Sequence, residues 1–317
     1  MSQNATHNLD TEAQAWLDRL DPIGEERGYF EPIGKQHSAI LTDEGPDLIV
    51  TFESISGIRT HDPEAQPLGF EMVAKNGYSN LCILAHGDTW FRDASLYGYF
   101  DRLVDDGFFE DFDNVVFYGA NMGGYGAVAY SVAAPGATVI ALQPQATLDP
   151  AVTGWDTRFK GQRRKCFTDR YGFGPDMIEG ADRAFIIFDP EEEFDAMHAS
   201  LFTRANTTMV KCPNLGPRIE DSLRTMEILQ DLIETALTGD MMAADFFELY
   251  RARRDNGQYL RNLLTRLEDD GRVVLIEALC KNVIERTGGG PRFRRRLKEI
   301  QTHKSSQDAP KADNETV

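Results

Sequence analysis

Cysteine is scarce in this chain. Cys82, Cys166, Cys212 and Cys280 are spread over 317 residues and form no CxxC pair. That spacing argues against zinc ligation and against a disulfide scaffold, and leaves single thiols in or near a core. No apolar run approaches the roughly 20 residues that cross a bilayer. The polar start, Met1–Leu9, lacks the basic-then-apolar pattern of a secretory signal, so a cytoplasmic protein without a membrane partner is expected. HExxH, a GxGxxG opening the first unit and a Gly-Lys-Ser/Thr phosphate loop are all missing. No cofactor and no metal are therefore expected. His61-Asp62 could join His86 and Asp88 in a set of metal-ligating types, but no spacing supports that set.

What is present is acid. The formal net charge is −18, unevenly distributed. Residues 1–240 carry 39 acids against 18 Lys and Arg, whereas 241–300 carry 9 acids against 13 bases. An acidic body repels phosphate, so nucleic acid is not an expected partner. Arg292, Arg294, Arg295, Arg296 and Lys298 form a basic run read as a solvated or partner-docking helix.

Residues 1–34 read as a leader with one short helix near Glu12–Leu20. An alternating pattern follows over 35–240. Buried strands are expected at Asp47–Phe52, Leu81–Ala85, Val115–Tyr118 and Ala137–Leu142, with further candidates at Phe185–Phe188 and Thr208–Lys211. Helical spacing falls between them, at Asp93–Val104 and Tyr125–Ala134. Such alternation predicts an α/β fold, a mostly parallel central sheet covered by helices on both faces. Residues 143–176 read as a rim insertion and 241–300 as a C-terminal helical appendage, with Val273–Ile276 as one possible strand. The polar stretch 301–317 reads as a disordered tail.

The sharpest local signal is Val115-Val116-Phe117-Tyr118-Gly119-Ala120-Asn121-Met122-Gly123-Gly124-Tyr125-Gly126-Ala127. An apolar strand runs into glycine, a polar residue flanked by single residues, two glycines and a small-residue helix. This is the layout of a nucleophile elbow, where a strained turn meets the front of a helix. The helix start then offers unpaired N–H groups to developing negative charge. Asparagine tolerates positive φ, but its amide has no proton whose loss creates a strong nucleophile.

On these residues the chain resembles the α/β-hydrolase superfamily, and within it bacterial members reading Gly-x-Ser-Met-Gly-Gly-Tyr. The likeness covers roughly residues 40–240 and is strongest at the elbow. The resemblance implies a nucleophile position at Asn121 and a first oxyanion donor at Met122. It implies a second donor in His86-Gly87-Asp88, an acid at Asp189 with Asp195 as runner-up, and a histidine in Cys212–Arg218. No histidine stands there, and Pro217 or Arg218 takes its place. Two of the three positions that the family uses for catalysis therefore differ.

Other residues add candidates. His86 follows a strand directly and could act as a base, orient water or bind an anion when protonated. Asp88 and Trp90 share its loop, and Trp90 could wall a pocket. Asp189 could equally start a solvated acidic helix, and could pair with Arg218 as a salt bridge. Arg158, in the basic and aromatic stretch that follows Gln143-Pro144-Gln145, could help recognise a small anionic ligand.

Three functions compete. The first is a catalytically degenerate hydrolase-like protein that binds a small anionic ligand or a partner. The second is a non-standard hydrolase of a small ester, amide or acyl substrate using His86 and Asp189. The third is a structural or assembly protein, forming a homo-oligomer through its C-terminal helices.

Overall fold

The computed structural model describes residues 11–60 and 62–307. Helix α1 (Thr11–Arg27) leads into strands β1 (Gly28–Ile33) and β2 (His37–Thr42). Strand β3 (Asp47–Ser54) is followed by α2 (Ile55–Ile58) and α3 (Leu68–Asn76), and β4 (Ser79–Ala85) by α4 (Ala94–Asp105). Strand β5 (Asn114–Ala120) feeds α5 (Met122–Tyr130), and β6 (Thr138–Leu142) feeds α6 (Pro150–Thr153) and α7 (Gly174–Met177). After β7 (Arg183–Phe188) comes α8 (Glu193–Ala199). After β8 (Thr207–Lys211) come α9 (Ile219–Thr225), α10 (Leu229–Leu237) and α11 (Ala243–Leu249).

The eight strands form one sheet in the order β1-β2-β4-β3-β5-β6-β7-β8. From β4 to β8 every neighbouring pair is parallel, while β2 runs antiparallel to β4 and β1 to β2. The fold is α/β-hydrolase-like.

Burial explains why these segments are strands. Leu81, Cys82, Ile83, Leu84 and Ala85 are all fully buried, as expected of a strand covered on both faces. Val50, Phe52, Leu81, Ile83 and Phe117 point to one face, where they pack with Phe91, Phe100, Val128 and Tyr130. Cys82 and Leu84 point to the other, against Trp16, Leu17 and Leu20 of α1 and Phe70 of α3. Strands β1 and β2 arise inside and just after the stretch read as a leader. Their short run around Gly34 gives little periodicity, and β2 is held by its register with β4.

The described chain divides into two compact units. One contains the sheet, through Pro213 and then Pro217–Tyr250. The other contains Asn214–Gly216 and the residues from Arg251 onward. In the second unit α12 (Gly257–Asp269), α13 (Val273–Thr287) and α14 (Pro291–Gln307) bury Leu260, Leu264, Ile276, Cys280, Val283, Phe293 and Ile300 against one another. Val273–Ile276, considered as a strand, opens α13 instead. Its β-branched residues fit a strand locally, but the helical spacing of Ile276, Cys280 and Val283 buries one face. The basic run of α14 is tied down within its own unit: Arg292 and Arg296 both reach Glu268, and Arg295 pairs with Glu299. Helix α14 continues to Gln307, and 308–317 lie outside the described residues. Among the described residues no helix is long and apolar enough to cross a membrane.

Candidate active site

The β5–α5 turn positions Asn121. Its backbone takes φ 52° and ψ −116°, a strained combination for any residue with a side chain. The turn is tied to the sheet by Asn121 N–H donating to Leu142 O at 2.8 Å, and to the helix by Tyr125 N–H donating to Asn121 O at 3.0 Å. Two glycines make so tight a junction feasible. A Cβ on Gly119 would sit 2.1 Å from Gly123 O, and one on Gly123 would sit 2.1 Å from Phe52 O. The Asn121 side chain makes no capping bond to the helix and is exposed to an adjacent cavity. Met122 opens α5, so its N–H belongs to the helical turn that has no intrahelical acceptor.

The cavity has a volume of about 440 Å³ and lies at the carboxyl ends of β3 and β5. Asn121, Met122, Asp88 and Trp90 line it. Trp90 and Phe91 hold positive φ values of 56° and 54°, which turns the Trp90 N–H toward Met122 Sδ at 3.3 Å. The indole packs edge-on against Phe159 with ring centroids 4.9 Å apart. Among the described lining residues six are acidic, Glu53, Asp62, Glu71, Asp88, Glu220 and Asp221, and one is basic, Arg224.

Glu53 was not anticipated from the sequence. It lies near the end of β3, one residue after Phe52, which is in register with Gly119 of β5. Its carboxylate accepts from Thr51 Oγ1 at 2.9 Å and from Leu68 N–H, at the start of α3, at 3.2 Å. Burial outweighs these bonds and pushes its pKa up to about 7. Beside it, Tyr118 O–H donates to Glu220 Oε1 at 2.8 Å, and Arg224 reaches the same oxygen at 3.1 Å. Burial also holds Tyr118 well above the usual phenol range, so it stays a donor. A glutamate at a strand end carries no spacing signal. Only its place beside β5 marks it.

The remaining candidates stand elsewhere. His86 Nε2 is 3.0 Å from Ser38 Oγ, and burial lowers the histidine's pKa, which favours the neutral ring. Gly87 O accepts from Thr89 N–H within the same loop. Asp189 is buried after β7 and accepts from Glu191 N–H at 3.0 Å, closing a turn before α8. Neither His86, Gly87 nor Asp189 lines the cavity. Strands β4 and β7 have β3, β5 and β6 between them, so His86 and Asp189 stand at strand ends roughly 19 Å apart at normal strand spacing. Arg218 is largely exposed and pairs with Asp221 at 3.3 Å. Arg158 is held by two carboxylates, with NH2 2.9 Å from Asp156 Oδ2 and NH1 2.6 Å from Asp195 Oδ1. His61 lies outside the described residues. Among the described residues no group of three or more His, Cys, Asp or Glu side chains is arranged to hold a metal ion.

One expectation is corrected. The degenerate reading took the histidine–acid pairing as lost, yet His198 Nε2 lies 3.0 Å from Asp156 Oδ2, with both residues fully buried. Ala146 N–H donates to His198 Nδ1 at 3.1 Å, so the ring proton sits on Nε2 and points at the carboxylate. The family resemblance points to a histidine after β8. It comes instead from α8, after β7, and its acid comes from the rim insertion. The Asp156-Thr157-Arg158-Phe159 stretch was the available signal. Catalytic degeneracy is therefore withdrawn as the reading of this chain.

No family model matches the chain, and no curated protein matches it. Solved structures do. Est1E from Butyrivibrio proteoclasticus is 15% identical, with 66% of this chain and 98% of that one covered at a TM-score of 0.42. The capsule O-acetyltransferase of Neisseria meningitidis serogroup A is 15% identical over 62% of this chain and 91% of its own, at 0.39. The Pyrococcus furiosus esterase Pf2001 is 13% identical over 66% and 90%, at 0.42.

Proposed function

We propose that this protein is a non-standard hydrolase acting on a small ester, amide or acyl substrate in the cavity beside Asn121. The observation that carries the reading is the presence of Glu53 and Asn121 on the wall of one cavity. Glu53 is a carboxyl group poised near neutrality, where a general base works best. In this scheme it replaces His86 and Asp189 as the acid–base group.

The chemistry follows from the donors at hand. Ionised Glu53 takes a proton from water as its oxygen bonds to the substrate carbonyl carbon. Negative charge gathers on the carbonyl oxygen, where the Met122 N–H and the Asn121 amide serve as donors. The carbon–leaving-group bond then breaks, and the proton on Glu53 passes to the departing alkoxide or amine. Asn121 contributes hydrogen bonds and forms no acyl intermediate. Trp90 and Phe159 offer an apolar wall to the acyl chain. The small anionic ligand expected from a basic rim would face six acidic residues and one guanidinium here, so an uncharged substrate is favoured.

A panel of uncharged short-chain p-nitrophenyl esters and anilides tests this with purified protein. Turnover that disappears in Glu53→Gln and falls in Asn121→Ala is expected. No turnover above buffer, or full activity in Glu53→Gln, would overturn the reading.

A further inference from the structure

We infer that Gln143 is a positioning residue that fixes the cavity wall carried by α9, and that the buried His198–Asp156 pair acts on the site through it. The inference rests on Glu53 being the acid–base group of that cavity.

Gln143 stands just past β6, buried and with a positive φ of 49°. Its N–H donates to Ile187 O at 2.8 Å, which extends the ladder toward β7 by one rung. The side chain then works in two directions. Nε2 donates to Asp195 Oδ2 at 2.6 Å, and Oε1 accepts from Ile219 N–H, the first amide of α9, at 3.1 Å. The next residue of α9 is Glu220, which holds Tyr118 and Arg224 on the cavity wall.

Behind Gln143 the bonds are continuous. The other oxygen of Asp195 takes Arg158 NH1 at 2.6 Å. Arg158 also grips Asp156, Asp156 receives His198 Nε2–H, and His198 Nδ1 receives Ala146 N–H. The network thus joins the end of β6, the rim insertion, α8 and α9. None of Asp156, Arg158, Asp195 and His198 lines the cavity; the pair meets its wall through α9 on one side and, on the other, through Phe159, whose ring lies under the Arg158 guanidinium.

A primary amide suits this place. One end must donate to a carboxylate while the other accepts from a backbone N–H. A glutamate would keep the acceptor but put a second carboxylate against Asp195. A methionine would keep the length and lose both bonds. The methionine releases the first amide of α9 outright, and the glutamate loosens it by pushing the side chain away from Asp195.

Glu53 reports the outcome. It faces Thr51 on its own strand, Cys82 on β4, Leu68 N–H on α3, Tyr118 on β5, and Glu220 and Arg224 on α9. Loosening α9 admits water to this group, and its titration should move toward that of an ordinary glutamate.

The experiment is a carbon-13 NMR titration of the Glu53 carboxyl in the full chain, compared with Gln143→Glu, Gln143→Met and the milder Asp195→Asn. Thermal unfolding is followed in parallel. A fall of the Glu53 midpoint by half a pH unit or more in the folded variants is expected, with a raised KM where turnover is measurable. Unfolding at a lower temperature with an unmoved Glu53 midpoint would overturn the inference and leave Gln143 a structural residue. Should the Gln143 variants not fold, the same two outcomes are read from Asp195→Asn. A moved midpoint in a protein that hydrolyses nothing would sink the hydrolase reading and keep the positioning role. Hydrolysis with an unmoved midpoint would do the reverse.

Discussion

Glu53 and Asn121 meet at one cavity because Phe52 of β3 lies in register with Gly119 of β5. Each strand runs on past that rung. One presents a carboxyl group that burial keeps half-protonated near neutral pH, and the other ends in an amide on a strained turn. A group that accepts a proton thereby shares one cavity with groups that donate hydrogen bonds, the division of labour that the proposed carbonyl hydrolysis calls for.

Removing the base while keeping its shape should separate activity from stability. Glu53→Gln is expected to lower kcat/KM on uncharged esters by about 10²- to 10⁴-fold, the usual range for a lost general base. At pH 8 the same variant should unfold at a higher temperature than the parent, because it no longer buries a charge. Thermal melts and initial rates on one preparation check both. A variant that is equally active, or less stable at pH 8, contradicts the assignment.

The pH dependence follows from the same group. Its pKa is raised on folding from 4.5 to about 7, so between these values the folded protein keeps a proton that the unfolded chain has released. Stability from this group is fully present below pH 4.5 and is lost as pH rises to about 7, by at most about 3 kcal/mol. Activity should run the opposite way, rising with a midpoint near pH 7 as the base ionises. The difference between parent and Glu53→Gln melts across pH separates the contribution of this carboxyl from other titrations, and a flat difference would refute it.

Restoring serine should not restore a serine hydrolase. Asn121→Ser places a hydroxyl on the turn, but no histidine is among the described residues lining the cavity. A fluorophosphonate probe is therefore expected to leave this variant unlabelled under conditions that label an active serine esterase. Rapid stoichiometric labelling at position 121 would show that a base such as His86 does reach the turn.

The tight junction under Asn121 should be intolerant of a single methyl group. Gly123→Ala would press a Cβ to within 2.1 Å of Phe52 O, a rigid backbone atom in the middle of the sheet. A loss of about 3 kcal/mol or more is expected, at the severe end for point changes, and urea unfolding measures it. A change below 1 kcal/mol would mean that strand and helix can part without cost.

The alternation of apolar strands with helical spacing was enough to predict the parallel sheet, because a strand buried on both faces must be apolar along its whole length. Gly119-Ala120-Asn121-Met122-Gly123 likewise announced the turn, since close backbone approach leaves no room for side chains. Local sequence also established that an amide, and no hydroxyl or thiol, occupies its apex. What it could not do was pair residues far apart in the chain. Glu53 became a site residue through the β3–β5 register, His198 and Asp156 found each other across the rim insertion, and Gln143 joined both to α9. Periodicity records which face of an element is buried. Which charges share a cavity, and how far burial shifts their protons, depends on distances that exist only once the chain has folded.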